Sequence, residues 1–238
     1  MASNLVLRLF YLLLALLPGL LWLRHYYLRD IFEPEPKALV ARLFGLGALG
    51  FGAAYLLQSA IYNLDSQHYY ILQGKDFLPA ALRAFLVVAS TEELIKLLIV
   101  YVFIFKNPEF DEPMDGVVYS IACALGFSTV ENANYMYTYD TFLVVRMLFS
   151  CFLHAGCSGL AGYYLGRAKF SESGRFLWCL QGLVLAWLLH GLYDFFVFSE
   201  LYMALILIII LLWLVKEFLD SRIDDALERS PFKDAPQV

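Results

Sequence analysis

Eight side chains capable of chemistry lie inside stretches that are otherwise apolar: Glu92, Glu93, Lys96, Glu131, Asn132, His154, His190 and Asp194. The first three share the run Ser90-Thr91-Glu92-Glu93-Leu94-Ile95-Lys96. At about 100° per helical residue, Lys96 projects about 40° from Glu92 and about 60° from Glu93, between the two and one turn along. One ammonium placed there can hold two carboxylates and keep at least one ionised. A buried ion pair that fixes helix register would need only one of them. Glu131 follows Phe127 by four residues and shares a helical face with Ala124, Tyr135 and Thr138. It can bond a neighbouring helix as a neutral acid or belong to the site. His154 lies among small residues, Ser150, Cys151, Cys157, Ser158 and Ala161. They can serve close helix packing, as in Ala155-xxx-Gly159 and Gly162-xxx-Gly166, or leave room for a substrate. His190 and Asp194 stand four apart, about 40° from each other on one face. That spacing suits two ligands of one metal ion or a carboxylate that orients an imidazole.

The elements that must carry these groups are membrane spans. Of 238 residues, 61% are hydrophobic and 16% charged, against roughly 25% charged in soluble domains. A spanning helix needs about 20 apolar residues, and seven segments provide them: 5–24, 38–62, 79–105, 115–137, 141–167, 175–198 and 201–219. The expected fold is therefore an all-α polytopic bundle. It is one transmembrane domain over 1–219, with its motif-bearing core at 79–198 and a polar, partly disordered tail at 220–238. The first segment lacks a small-residue cleavage site and runs into Arg24, His25 and Arg29, so it reads as a retained span. Net charge is -5 with no basic stripe, which excludes a nucleic-acid partner. Cys123, Cys151, Cys157 and Cys179 fit neither a zinc-ligand spacing nor a disulfide framework and read as small buried residues. No internal repeat of the transporter kind is visible.

Lys and Arg concentrate in one set of loops, around Arg24, Arg29, Lys37, Lys106, Arg167, Lys169, Arg175, Arg222, Arg229 and Lys233. The other set holds Arg8, Lys75 and Arg83, with Arg146 close by. The rich set is expected to be cytoplasmic, which puts the N-terminus outside and the C-terminus inside. Ser66 and Asp140 should then face outward and Ser171 inward. Charged groups at mid-membrane cost about 2.5–3.5 kcal/mol each and persist when paired, hydrated or useful. Counted from the span ends, Glu92 and His154 fall near mid-membrane, and Glu131, His190 and Asp194 fall between the middle and the outer surface. Unrelated structural pairs would have no reason to share a layer. Three classes accommodate the pattern: a protease, a proton-coupled transporter and a non-catalytic assembly subunit.

The same residues resemble the PrsW family of intramembrane proteases, which belongs with the CAAX-processing and bacteriocin-processing membrane proteases. The matching motifs are Glu92-Glu93-x-x-Lys96, Asp115-Gly116 leading into Phe127-x-x-x-Glu131-Asn132, His154 followed by Gly162-Tyr163-x-x-Gly166, and His190-x-x-x-Asp194. They span residues 90–195; the first two spans and the tail carry no matching motif. CAAX-type relatives have a glutamate-arginine motif in place of Glu92, Glu93 and Lys96, and a histidine in place of Glu131, which argues against prenylated substrates. The resemblance implies an endopeptidase of the bacterial inner (cytoplasmic) membrane. Its substrate would be a single-span membrane protein such as an anti-sigma factor, cut near the outer half of the bilayer.

Two mechanisms fit. In the metal-free one Glu92 is the general base, Glu93 its hydrogen-bonding partner, and His154 or His190 assists. His190, Lys96 or Asn132 then stabilises the oxyanion. In the other, His154, His190 and Asp194, with Glu131, hold one zinc ion with an open position, and Glu92 or Glu93 is the base.

Overall fold

The computed structural model describes residues 2–68, 71–74, 76–139, 144–199 and 201–234. Lys75 and Asp140 lie outside the described residues. The apolar runs become seven helical rods: α1 (Ala2–Tyr27), α2 (Lys37–His68), α3, α4 (Pro113–Tyr139), α5 (Val144–Phe170), α6 (Arg175–Phe198) and α7 (Ala204–Glu228). α3 is built of three contiguous stretches, α-helical over Phe77–Ala81, π-helical over Leu82–Ala89 and α-helical again over Ser90–Phe103. Among the described residues there is no strand. Four helices, α1, α2, α4 and α6, are individually long and apolar enough to cross a membrane.

Local chemistry explains the helix starts. Pro113 opens α4, where its missing N–H is one that a first helical turn leaves unpaired anyway. The Pro36 carbonyl accepts from Leu39 and Val40 and so begins α2. Gly174, at φ 75°, turns the chain between α5 and α6 in a conformation that side chains disfavour.

α4 is the axis of the bundle: 94% of its most apolar stretch is buried, against 17–28% for α1, α2 and α6. Its Val117, Ile121 and Leu125 share one core with Leu43, Val100, Leu160 and Leu219 of the surrounding helices. The outer helices turn Leu9, Leu13 and Leu17 of α1, Leu49 and Leu56 of α2, and Ile206, Ile209 and Trp213 of α7 outward. Such a surface suits lipid, because hydrocarbon imposes no penalty on exposed apolar side chains.

α4 and α5 approach backbone to backbone. A Cβ on Gly162 would sit 2.0 Å from the Gly116 carbonyl oxygen, and one on Gly116 would sit 2.3 Å from that of Gly162. Close packing is thus the role of Gly116 and of the Gly162-xxx-Gly166 stripe. The polar tail expected from Asp220 begins as helix. α7 continues to Glu228 because Ile223 and Ala226 extend its buried stripe. Arg29 adds ion pairs to Asp220 at 2.9 Å and Asp224 at 3.4 Å.

The loops at the Lys/Arg-rich end carry acidic groups as well. Burial, followed by the charge of Glu112, pushes Asp30 up to about 8. Burial and the charge of Asp115 push Glu35 up to about 10.

Candidate active site

Helices α3, α4, α5 and α6 bring the predicted groups together. On α3, Lys96 Nζ lies 2.8 Å from Glu93 Oε1 and 3.4 Å from Glu92 Oε2, the bridging position that helical projection predicts. All three side chains are buried. Phe127 of α4 offers its ring face to the ammonium, 4.4 Å from the centroid.

Glu93 is the held carboxylate. It accepts from Lys96, from Ser158 of α5 at 3.1 Å, and pairs with His190 Nδ1 of α6 at 2.7 Å. Glu92 is held more loosely, by Gln58 Nε2 of α2 at 3.3 Å and by Lys96. Gln58 also donates to Thr91 at 3.0 Å, which fixes the amide's direction.

The two imidazoles meet edge to face, with centroids 4.9 Å apart. His154 Nε2 lies 2.9 Å from Glu131 Oε2, and its Nδ1 lies 2.6 Å from Lys96 Nζ. An ammonium can only donate, so Nδ1 accepts there and Nε2–H donates to Glu131. His190 directs Nδ1 at Glu93 and Nε2 toward Glu92, at 3.9 Å, and Asp194, at 3.4 Å. Asp194 Oδ2 is buried without a hydrogen-bond partner.

The π-helical stretch before Ser90 helps to seat α6. Trp187 Nε1 donates to the Phe85 carbonyl at 2.7 Å. Gly191 leaves room for the Phe85 ring, which a Cβ would approach to 2.3 Å. These contacts sit directly beside His190 and set its height against Glu93.

Asn132 stands one step away. Its Oδ1 accepts from Arg146 at 2.7 Å and its Nδ2 reaches Cys151 Sγ at 3.5 Å. Arg146 also faces Glu131 at 3.7 Å. Three contributors escaped the sequence reading of the site: Gln58, Arg146 and the specific bond from Ser158. A lone amide in the apolar run of α2 and an arginine inside α5 were the available signals.

The donor set suits a zinc ion. Glu92, His154 and His190 each place one ligand atom within 4.8 Å of the others. Each imidazole has a carboxylate on one nitrogen, Glu131 for His154 and Glu93 for His190. That is the outer support that metal-ligating histidines normally carry. The buried Oδ2 of Asp194 lies beside them, 3.4 Å from His190 Nε2.

The model of the family described as "PrsW family intramembrane metalloprotease" matches residues 35–216. The chain is 35% identical to Protease PrsW of Geobacillus kaustophilus over 186 residues, 77% of each chain. It is 33% identical to Protease PrsW of Shouchella clausii over 208 residues, 85% of this chain and 92% of the relative. Against Protease PrsW of Bacillus subtilis the identity is 34% over 180 residues, 75% and 78% of the two chains. No solved structure matches. The buried glutamate pair, its bridging lysine and the two supported histidines are thus the polar centre of a membrane protein, and the chain belongs to the PrsW family of intramembrane metalloproteases.

Proposed function

We propose that this protein is a zinc-dependent endopeptidase that cuts single-span membrane proteins, an anti-sigma factor among them, in the bacterial inner membrane. The observation that carries this reading is the convergence of Glu92, His154 and His190 to within 4.8 Å, with a held carboxylate behind each imidazole. In this reading these three residues hold the ion, which would supply a Lewis acid and an activated water. Glu92 and Asp194 thereby exchange the roles of base and ligand suggested by the sequence.

The chain's own residues do the rest. Glu93 is saturated by Lys96, His190 and Ser158, so it positions and does not transfer protons. Asp194 retains a free oxygen and is 9% exposed, against 2% for Glu93. A proton acceptor needs an available lone pair, and in this reading Asp194 Oδ2, which faces His190 Nε2 at 3.4 Å without a bond of good geometry, supplies it. Lys96 balances the two glutamates and gives up His154 Nδ1 when that nitrogen serves as a ligand. Glu131 holds the opposite nitrogen of His154 and is kept in place by Arg146.

His190 lies 8 residues from the end of α6, and Glu131 the same number from the end of α4. At 1.5 Å per residue both are about 12 Å below the end of the bundle remote from the Lys/Arg-rich loops. With seven spans and those loops in the cytoplasm, the cut falls in the outer half of the bilayer. A second reading, metal-free hydrolysis with Glu92 as base, draws on the 2.6 Å contact of Lys96 with His154, which leaves that imidazole no free nitrogen.

The test is metal content measured beside cleavage of a single-span substrate in liposomes. Wild type should carry about one zinc per chain. Glu92→Gln, His154→Ala and His190→Ala should lose zinc and activity together. Asp194→Asn should keep zinc and lose about 10²–10⁴-fold in rate. Full activity after exhaustive chelation would establish the metal-free reading. Zinc lost from Asp194→Asn but kept in Glu92→Gln would restore the roles suggested by the sequence.

A further inference from the structure

A second polar centre lies at the Lys/Arg-rich end of the bundle. Asp30 comes from the loop after α1, Glu35 from the turn before α2, and Glu112 and Asp115 from the start of α4. Asp30 is 2% exposed and the other three are fully buried. Asp30, Glu112 and Asp115 each place a carboxylate oxygen within 4.8 Å of the others, and Glu35 lies against Asp115.

Few of these oxygens are satisfied. Asp115 Oδ2 accepts the backbone N–H groups of Asp111 and Glu112, each at 2.7 Å. Glu35 Oε2 accepts from Tyr119 Oη. Six others form no hydrogen bond of good geometry: both oxygens of Asp30, both of Glu112, Glu35 Oε1 and Asp115 Oδ1; the nearest donors are the Glu35 N–H beside Asp30 and the Ser230 hydroxyl beside Glu112. Among the described residues no cation stands within ion-pair distance of any of the four, and the charge of Lys169 reaches Asp115 and Glu35 only from farther off. Arg29 is engaged with Asp220 and Asp224. Lys169 donates to the Asn107 carbonyl at 3.1 Å and lies over the Phe110 ring.

Buried carboxylates without donors are costly, and native proteins rarely leave them so. A side chain such as Glu112, wholly buried with two unpartnered oxygens, points to a missing positive charge. Three carboxylates with converging oxygens, a fourth against Asp115, and no nitrogen or sulfur are the donor set of a hard divalent cation, which takes oxygen ligands and completes its shell with water.

We infer that Asp30, Glu35, Glu112 and Asp115 form a structural site for a hard divalent cation of the magnesium or calcium class, separate from the catalytic centre. The ion joins the α1–α2 connection to the start of α4. Asp115 precedes Gly116, whose contact with Gly162 sets the α4–α5 distance. The site therefore fixes the start of the helix that carries Glu131, at the point where Gly116 meets Gly162.

The experiment uses purified full-length protein in detergent, first stripped with a chelator. Thermal unfolding is followed while Mg²⁺ or Ca²⁺ is added, with elemental analysis after gel filtration. At a free ion concentration 100 times Kd, the folded-to-unfolded ratio should rise about 100-fold. Asp30→Asn and Glu112→Gln should abolish that gain. Each should be at least as stable as wild type in chelator, because each removes an uncompensated buried charge. His154→Ala and His190→Ala should keep the gain, which separates this site from the catalytic one. An absence of any effect of Mg²⁺ and Ca²⁺ on wild type, or an equal effect on wild type and on both cage variants, would overturn the inference.

Discussion

Lys96→Met is the most informative single change, because Lys96 touches both glutamates and His154. Its ammonium is 1% exposed and lies 2.8 Å from Glu93, 3.4 Å from Glu92 and 2.6 Å from His154. Methionine keeps the length and apolar stem but removes the charge. Glu93 then retains Ser158 and His190, and Glu92 retains Gln58. Breaking one partner out of a buried ion pair typically costs about 3–5 kcal/mol, because the other charge is left uncompensated. Two carboxylates are stranded here, so the loss belongs at the upper end of that range. Restoring neutrality should recover most of it, since replacing a whole buried ionic group by neutral residues is often close to neutral. The prediction is therefore a pattern. Lys96→Met unfolds at markedly lower temperature than wild type. The triple variant with Glu92→Gln and Glu93→Gln recovers stability but not activity. The assay is thermal unfolding in detergent followed by size-exclusion, with substrate cleavage measured on the same samples. A Lys96→Met protein as stable as wild type, or a triple variant no more stable than Lys96→Met, would refute the charge balance argued from these distances.

Four further outcomes are expected. Gly162→Ala forces a Cβ to 2.0 Å from the Gly116 carbonyl oxygen and should destabilise the protein by about 1–3 kcal/mol through overpacking. Gly52→Ala, which meets nothing within 4 Å, should be neutral or slightly stabilising in the same unfolding assay. Gln58→Leu removes the amide that aims Glu92 and should lower zinc affinity or activity about 10–100-fold, the usual effect of losing an outer-shell partner; unchanged kinetics and metal content would dismiss that role. A cysteine at Ser66 should be labelled from outside intact cells and one at Ser171 only after permeabilisation, and the reverse pattern would invert the topology.

What sequence by itself determined follows from geometry internal to one helix. Lys96 between Glu92 and Glu93, and His190 on one face with Asp194, depend only on 3.6 residues per turn, and both recur in the structure. The helical architecture was equally legible, because apolar runs of this length leave the backbone few alternatives in lipid. What passes between helices was not legible. The bond of Glu93 to His190 joins residues 97 apart, and that of Gln58 to Glu92 depends on how far α2 slides along α3. Periodicity records which face a residue occupies but not the height at which two faces meet. That height is set by contacts such as Gly116 against Gly162 and Gly191 against Phe85. The extension of α7 past Asp220 likewise depended on partners on other helices. The cage of Asp30, Glu35, Glu112 and Asp115 is the extreme case. Each of these residues reads as an ordinary loop or helix-cap acid, and only the folding of two separate segments onto one end of the bundle buries them together.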